Sequence, residues 1–264
     1  MPRSRLDAAL VERGLAPSRS RAQADVASGR VRVNGTVTVR ASAPVDPSAT
    51  LVIDEAPAFV SRGGDKLAGA LHDFALDVTG MRALDLGAST GGFTDCLLQR
   101  GALSVVAVDV GYGQLAWPLR NDPRVTVHER TNARYLTPET VGPPVDLVTC
   151  DLAFISVATV WHAVAACAAD NHHAVVLVKP QFEVGKGQVG SGGVVRDPAL
   201  HRYAIKRVVA ALVGAEGHVR GVTRSRLVGP KGNVEFFVHS TGPGGPSADI
   251  DLDRQIAVAV EGAA

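Results

Sequence analysis

Cysteine is scarce in this chain of 264 residues: Cys96, Cys150 and Cys167 are the only three, unevenly spaced and without a CxxC pair. That excludes a disulfide scaffold and a zinc knuckle, and points to a reducing compartment. Aromatic residues make up 5% of the chain, and neither sign of charge dominates, the net value being +1. No basic stretch followed by an apolar one opens the chain, so no secretion signal is expected. One run, Leu152 to Ala169, carries no Asp, Glu, Lys or Arg over eighteen residues. It holds Ser156, Thr159 and His162 and lacks flanking basic anchors, so a helix packed on a buried sheet is expected there rather than a membrane span. What is present, 46% hydrophobic and 20% charged residues, suits a globular chain with ample core.

The charge is unevenly placed. Residues 1–40 hold eight arginines against Asp7, Glu12 and Asp25, while the remainder is mildly acidic. A basic arm on an acidic body suggests an end that binds a polyanion. Within it, Leu6, Ala9, Leu10 and Arg13 keep helical spacing up to Gly14. Ser20 and Gln23 fit a capping box for a second helix ending near Gly29. Val31–Val33 and Thr36–Val39 alternate around Asn34-Gly35, a strong hairpin signal because both turn residues need positive φ. A further strand is expected at Leu51–Ile53. This ordered set, from Arg5 to Thr38, resembles the S4-like RNA-binding domain. The resemblance implies RNA contact by Arg5, Arg19, Arg21, Arg30 and Arg32, whose guanidinium groups can pair bidentately with phosphates.

From residue 82 the pattern becomes strand, glycine turn, helix, repeated, which predicts a mostly parallel sheet with helices on both faces. Strands are expected at 82–86, 104–108, 124–128, 145–150 and 174–178, a helix at 198–214, and an antiparallel pair at 218–222 and 234–238. The run Ser61–Gly64 reads as part of a linker, and the adjacent His172-His173 as a solvated loop rather than metal ligands. Gly87, Gly91 and Gly92 follow the first strand but miss the GxGxxG pattern, since Ser89 intervenes. Such a turn still lets backbone N–H groups approach a ligand at the carboxyl ends of the strands. Asp109 ends the next strand, where a carboxylate can accept bonds from both ribose hydroxyls or cap a helix. Asn132-Ala133 stands where an adenine could be contacted.

Lys66, Asp151, Lys179 and Glu235 occur in an order that looks like the tetrad of FtsJ-type ribose 2′-O-methyltransferases. The phrases SRGGDKLAGAL, LDLGASTGGFTD, ERTNAR, KPQFEVGKGQVGSGGVVRDP and GPKGNVEFF narrow the match. With the S4-like part in front, the chain resembles the TlyA family, whose members are called haemolysins. One departure is Phe59-Val60, where that family often has Trp-Val. The resemblance implies an α/β fold: a Rossmann-like class I methyltransferase domain over 64–264, its sheet mostly parallel with an antiparallel last strand. A small α+β S4-like domain over 1–57 and a linker over 58–63 would precede it.

The implied cofactor is S-adenosylmethionine, contacted by Asp85, Gly87, Ser89, Thr90, Gly91, Gly92, Phe93, Asp109, Asn132, Ala133 and Asp151, with no metal. The implied activity is cytidine 2′-O-methylation of ribosomal RNA in both subunits, in the cytoplasm, without a membrane partner; the sequence does not decide between a monomer and a weak dimer. Arg62 and Lys186, beside the glycine-rich run Gly185–Gly193, join the expected RNA contacts. Lys179 would act as base, which requires its pKa to fall toward neutrality through burial or through the neighbouring Lys66. A non-catalytic RNA-binding assembly factor and a membrane-active haemolysin are the alternatives.

Overall fold

Valine-rich runs decide the architecture of most of the chain, because strands buried on both faces need continuous apolar sequence. A computed structural model describes residues 3–262, and in it the chain divides into two units, Met1–Pro57 and Ala58–Ala264. Among the described residues, no helix is long and apolar enough to cross a membrane.

The smaller unit runs β1 (Ser4–Arg5), α1 (Leu6–Glu12), α2 (Arg19–Ala27), β2 (Val31–Val33), β3 (Thr36–Val37), β4 (Pro44–Val45) and β5 (Leu51–Ile53). Asn34 (φ +51°) and Gly35 (φ +82°) make the tight turn between β2 and β3. β5 pairs on the other side of β2. β4 pairs with β1. Leu6, Leu10, Val26 and Val31 are fully buried between the helices and the small sheet.

The helix cap of α2 differs from expectation: Ser18, not Ser20, accepts from the N–H of Arg21 at 3.2 Å. Ser18 has the extended backbone that a cap requires. Gln23 is drawn away from the helix start, donating to Asp7 Oδ2 at 2.8 Å. Asp7 is the polar centre of this unit. Buried at the start of α1, it also accepts from Arg5 at 3.0 and 3.1 Å and from Arg19 at 3.3 Å.

The larger unit contains α3 (Arg62–Asp73), β6 (Arg82–Leu86), α4 (Gly92–Gln99), β7 (Ser104–Val108), α5 (Trp117–Arg120), β8 (Val125–His128), α6 (Pro138–Val141), β9 (Val145–Cys150), α7 (Val157–Ala165), β10 (Ala168–Val178), α8 (Pro180–Glu183), α9 (Pro198–Gly214), β11 (His218–Arg224), β12 (Phe236–Thr241) and α10 (Leu252–Glu261). Seven strands form one sheet in the order β11-β12-β10-β9-β6-β7-β8. β6 to β10 pair in parallel, and the last strand, β12, is antiparallel to both β10 and β11.

Pleat alternation splits the core into two layers. Leu84, Leu86, Val176 and Val178 pack on one face beside Trp161 and Ile205. Ala83, Val175, Leu177 and Phe237 pack on the other beside Leu67 and Leu97. Each fully buried Val, Leu, Ile or Phe among these contributes about 1.5–3 kcal/mol relative to leaving it in water. The three cysteines are all buried, and burial pushes the Cys96 thiol up to about 12.

Three sequence expectations are corrected here. Arg62-Gly63-Gly64 is not linker but the first turn of α3, with Ser61 before it. β10 begins at Ala168 and carries His172 and His173, which are strand residues rather than a solvated loop; His173 lies opposite Thr241 and bonds His239 at 3.0 Å. A register irregularity between Ala168 and His173 breaks the apolar pattern that marks the rest of the strand. Glu235 precedes β12 instead of lying within it.

The Arg5 hydrogen bond, then that of Gln23, holds the Asp7 carboxyl well below the usual carboxylate range, against the opposing effect of burial. A folded-state pKa that is lowered gives stability that is full above the unfolded value and lost as the pH falls through the folded one. Asp7→Ala should therefore cost about 1–3 kcal/mol at pH 7, with the gap between the two proteins closing only in strongly acidic solution. Hydrogen exchange of the α1 amides in the full chain, corrected for intrinsic rates, measures both.

Candidate active site and nucleic-acid interface

β6 and β9 are neighbours where the strand order reverses, and the space beyond their carboxyl ends is the usual ligand crevice of such sheets. Gly87 follows β6 with φ +78°, and a Cβ there would lie 2.5 Å from the carbonyl oxygen of Asp151. The N–H of Asp151 in turn donates to the Leu86 carbonyl at 2.8 Å. Next to this junction, Asp109 immediately follows β7. Its carboxylate accepts from the N–H of Ser89 at 2.8 Å and of Gly111 at 2.6 Å, bracing two turns rather than capping a helix.

Three cavities meet around these strand ends. The first, about 620 Å³, is lined by Gly87, Ser89, Asp109, Asn132, Ala133, Asp151, Phe154 and Lys179. The second, about 440 Å³, is lined by Arg62, Lys66, Thr90, Gly92, Phe93 and again Asp151. The third, about 330 Å³, lies against Phe154, Lys179, Gln181, Phe182, Lys231 and Glu235.

The four tetrad residues stand at the borders of these spaces and form two ion pairs. Lys66 Nζ meets Glu235 Oε2 at 2.5 Å, both side chains buried. Lys179 contacts Asp151 Oδ1 as a charge pair. That contact is not an aligned hydrogen bond, and the buried Oδ1 has no hydrogen-bond partner. The elements that deliver these groups are α3 for Lys66, the ends of β9 and β10 for Asp151 and Lys179, and the approach to β12 for Glu235.

Two expected cofactor contacts lie elsewhere. Asp85 is fully buried inside the sheet, accepting from Thr94 Oγ1 at 2.7 Å and Thr149 Oγ1 at 3.0 Å. Pleat alternation turns it to the α4 face, away from all three cavities, and burial pushes its carboxyl up to about 6. Gly91 is outside the cavities too; a Cβ there would strike the Leu119 and Leu115 side chains. Phe93 reaches the second cavity but mostly packs in the core, stacked on Phe237 at 6.2 Å between ring centroids.

Sequence reasoning missed Phe154, which is 90% exposed, has φ +64°, and sits 5.1 Å from the Phe182 ring. Its signal was an aromatic set directly between a strand-end Asp and the Ser156 cap of α7.

In the smaller unit the arginines are less free than their number suggests. Arg5 and Arg19 share Asp7, Arg21 and Arg30 share Asp25, and Arg32 pairs with Asp54. Arg30 is mostly buried and also donates to the Asp54 carbonyl at 3.2 Å, so it serves the fold and not an outer surface. Arg5, Arg19, Arg21 and Arg32 keep much of their side chains exposed while paired. Arg3 and Arg40 are exposed and make no ion pair among the described residues. In the larger unit Arg62 donates to the Val228 carbonyl at 2.9 Å beside the second cavity. Lys186 is exposed in a turn of the glycine-rich run.

A profile of the FtsJ-like methyltransferases matches residues 59–241, and one of the S4 domain matches residues 4–51. The 16S/23S rRNA (cytidine-2′-O)-methyltransferase TlyA of Mycobacterium tuberculosis is 57% identical over 238 residues, 89% of each chain. Hemolysin A of Brachyspira hyodysenteriae is 35% identical over 89% of this chain and 98% of its own. A solved structure described as a hemolysin from Streptococcus thermophilus has a TM-score of 0.74 at 37% identity, covering 99% of this chain and 97% of that one.

The raised Asp85 carboxyl carries a measurable pH signature. An acid whose folded pKa is raised destabilises the fold once it ionises, so the protein is most stable below the unfolded value and loses that stability as pH rises through about 6. Asp85→Asn removes the effect. Between pH 4 and 7 the original chain should lose on the order of 2–3 kcal/mol relative to the variant, read from paired denaturant titrations.

Proposed function

This chain belongs to the FtsJ-like methyltransferase family, and on that basis we propose that it is an S-adenosylmethionine-dependent enzyme that methylates cytidine 2′-hydroxyls of ribosomal RNA in both subunits. The observation that carries the reading is the tetrad, gathered from four separate elements into two ion pairs where the three cavities meet.

The residues of the first cavity fit the cofactor. Its volume suits a nucleoside with an amino-acid arm. Asp109 uses its carboxylate to brace the turns and retains lone pairs for ribose hydroxyls. Asn132 accepts from the Arg134 N–H at 3.0 Å, which leaves its own amide N–H groups for an adenine acceptor. When bound, the sulfonium supplies an electrophilic methyl group.

The remaining chemistry belongs to the chain. A ribose 2′-hydroxyl is a weak acid, so its proton must leave as the oxygen is methylated. Lys179 borders both the first and third cavities; its ammonium first gives a proton to solvent, and the neutral amine, held in position by Asp151, then takes the hydroxyl proton on Nζ. The third cavity receives the target nucleotide, with Phe154 and Phe182 as apolar walls. Lys66 remains charge-balanced by Glu235, so a buried cation stands beside the reacting atoms without an uncompensated cost. Holding acceptor, base and donor in one geometry is the main source of rate in such a transfer.

Ribosomal RNA as substrate is supported by the S4-domain match and by the relative named for both 16S and 23S rRNA. Cytoplasmic ribosomal subunits are accordingly the proposed site of action. The direct test is transfer of a labelled methyl group to isolated subunits, followed by mapping of the 2′-O-methylated cytidines. Absence of labelling would overturn the proposal.

Lys179→Ala should bind S-adenosylmethionine almost as well as the original chain while its single-turnover rate constant falls at least ~10²-fold. A near-normal rate would remove Lys179 from the role of base.

Removing residues 1–57 should leave cofactor binding in place and abolish most methylation of subunits. The affinity of the intact protein for subunits should fall steeply with salt, as phosphate contacts release counterions, and that of the shortened one less so. Arg3→Glu combined with Arg40→Glu is the finer probe, because it leaves the Asp7 and Asp25 bridges intact. Equal affinities and salt slopes in all three proteins would show that the larger unit finds its RNA unaided.

A further inference from the structure

The pairing between β9 and β10 stops at Cys150 opposite Val176. Asp151 and Lys179, whose side chains must meet, both lie beyond that last pair. Past the ladder, the chain after Asp151 passes through Phe154 in the left-handed region and enters α7, while the chain after Lys179 turns at once into α8.

Glu183, at the end of α8, spans the gap between these two segments. Its Oε2 accepts from Ser156 Oγ at 2.5 Å, and its Oε1 accepts from the N–H of Val157 at 2.8 Å. The carboxylate thereby occupies the first turn of α7, where unpaired N–H groups and the helix dipole favour an anion. Glu183 is 1% exposed. The Arg207 guanidinium donates to its backbone carbonyl at 2.6 Å and stands 3.8 Å from its carboxylate. Burying a carboxylate costs free energy unless it is fully bonded, so this arrangement is a fixed joint. Neither Glu183 nor Arg207 lines any of the three cavities.

We propose that Glu183 is a positioning residue: by tying the start of α7 to α8 it holds the Asp151 segment against the Lys179 segment, and so sets the alignment of the lysine amine for proton removal. The inference rests on the reading of Lys179 as the base. Without the joint, the two segments remain covalently continuous with their strands but are free to shift against each other. A misplacement of about 1 Å in such a site costs up to ~10²-fold in rate.

The test compares Glu183→Ala, Glu183→Gln and Ser156→Ala in the full-length protein. The readouts are single-turnover methylation of subunits, S-adenosylmethionine affinity by calorimetry, and thermal midpoint. Glu183→Ala should lower the single-turnover rate constant about 10- to 100-fold, with cofactor and subunit affinities changed by less than about threefold. Glu183→Gln should recover most of the rate, since its amide oxygen can still accept from Val157 and its amide nitrogen can donate to Ser156 Oγ. Ser156→Ala, which keeps the Val157 bond, should fall between them.

A parallel fall of rate, cofactor affinity and thermal midpoint in Glu183→Ala, with no recovery in Glu183→Gln, would reduce the residue to a structural one and overturn the inference. Full rate in both alanine variants would do the same. Should Glu183→Ala fail to fold, the comparison of Ser156→Ala with Glu183→Gln decides alone, the inference requiring a slower Ser156→Ala with unchanged cofactor affinity. Lys179→Ala run alongside separates the two readings. If that variant keeps its rate, the assignment of the base has failed; if it loses its rate while the Glu183 variants do not, only the positioning role has failed.

Discussion

The catalytic unit depends on one close approach, that of the Gly87 backbone to the carbonyl of Asp151. Two features enforce it: a φ that side chains avoid, and a separation of 2.5 Å from any Cβ placed there. Because the approach is so close, the ends of β6 and β9 stay joined by the Asp151–Leu86 hydrogen bond one residue past the strands. The first and second cavities share Gly87 and Asp151 as a common wall. Moving that wall outward by the width of a methyl group would displace the carboxylate paired with Lys179 and alter both cavities together. Glycine at this position is thus required by packing between protein segments before any ligand enters.

Much of this was legible in the sequence, and what was not has identifiable causes. β6, β7 and β9 fall on the residues their apolar runs indicated, since parallel strands buried on both faces leave a continuous signal. β10 was read from Ala174 onward only. Its first half, with Asp170, Asn171 and two histidines, has the composition of a loop; hydrogen bonds from Gly242 and Gly244 to the His172 and Asp170 carbonyls, and pairing with β12 from His173 onward, override local preference. The tetrad residues could be named from their order, and opposite charges already suggest Asp151 with Lys179 and Glu235 with Lys66, the two pairs that form; what the sequence conceals is how far the chain travels to make them, from α3 to the approach to β12. Asp85 illustrates the opposite failure. A carboxylate one residue from a strand end looks like a ligand contact, and only the pleat reveals that it points into the core.

The arginines of the smaller unit show how a net charge can mislead. A surplus of basic residues in the first forty suggests a freely available cationic face. The fold spends part of that surplus on buried acids, with Asp7 engaging two arginines and Asp25 two more. Shared pairs of this kind fix the directions of long side chains while leaving several of them exposed. Arg30 is the exception, being committed to the interior.

The Lys66–Glu235 pair joins residues 169 positions apart, and this has a consequence for the order in which the protein is completed. During synthesis from the N-terminus, α3, the crevice between β6 and β9, and the Asp151–Lys179 pair can all be assembled before residue 235 leaves the ribosome. Until then Lys66 has no counter-charge, and the gap beside β10 is open, because β12 inserts between β10 and β11 only at the end. Contacts of such long sequence separation form late, as their loop-closure cost is the largest. The final strand therefore completes both the sheet and the Lys66–Glu235 pair, and a chain that stops short of residue 235 lacks the counter-charge of Lys66 together with the strand between β10 and β11.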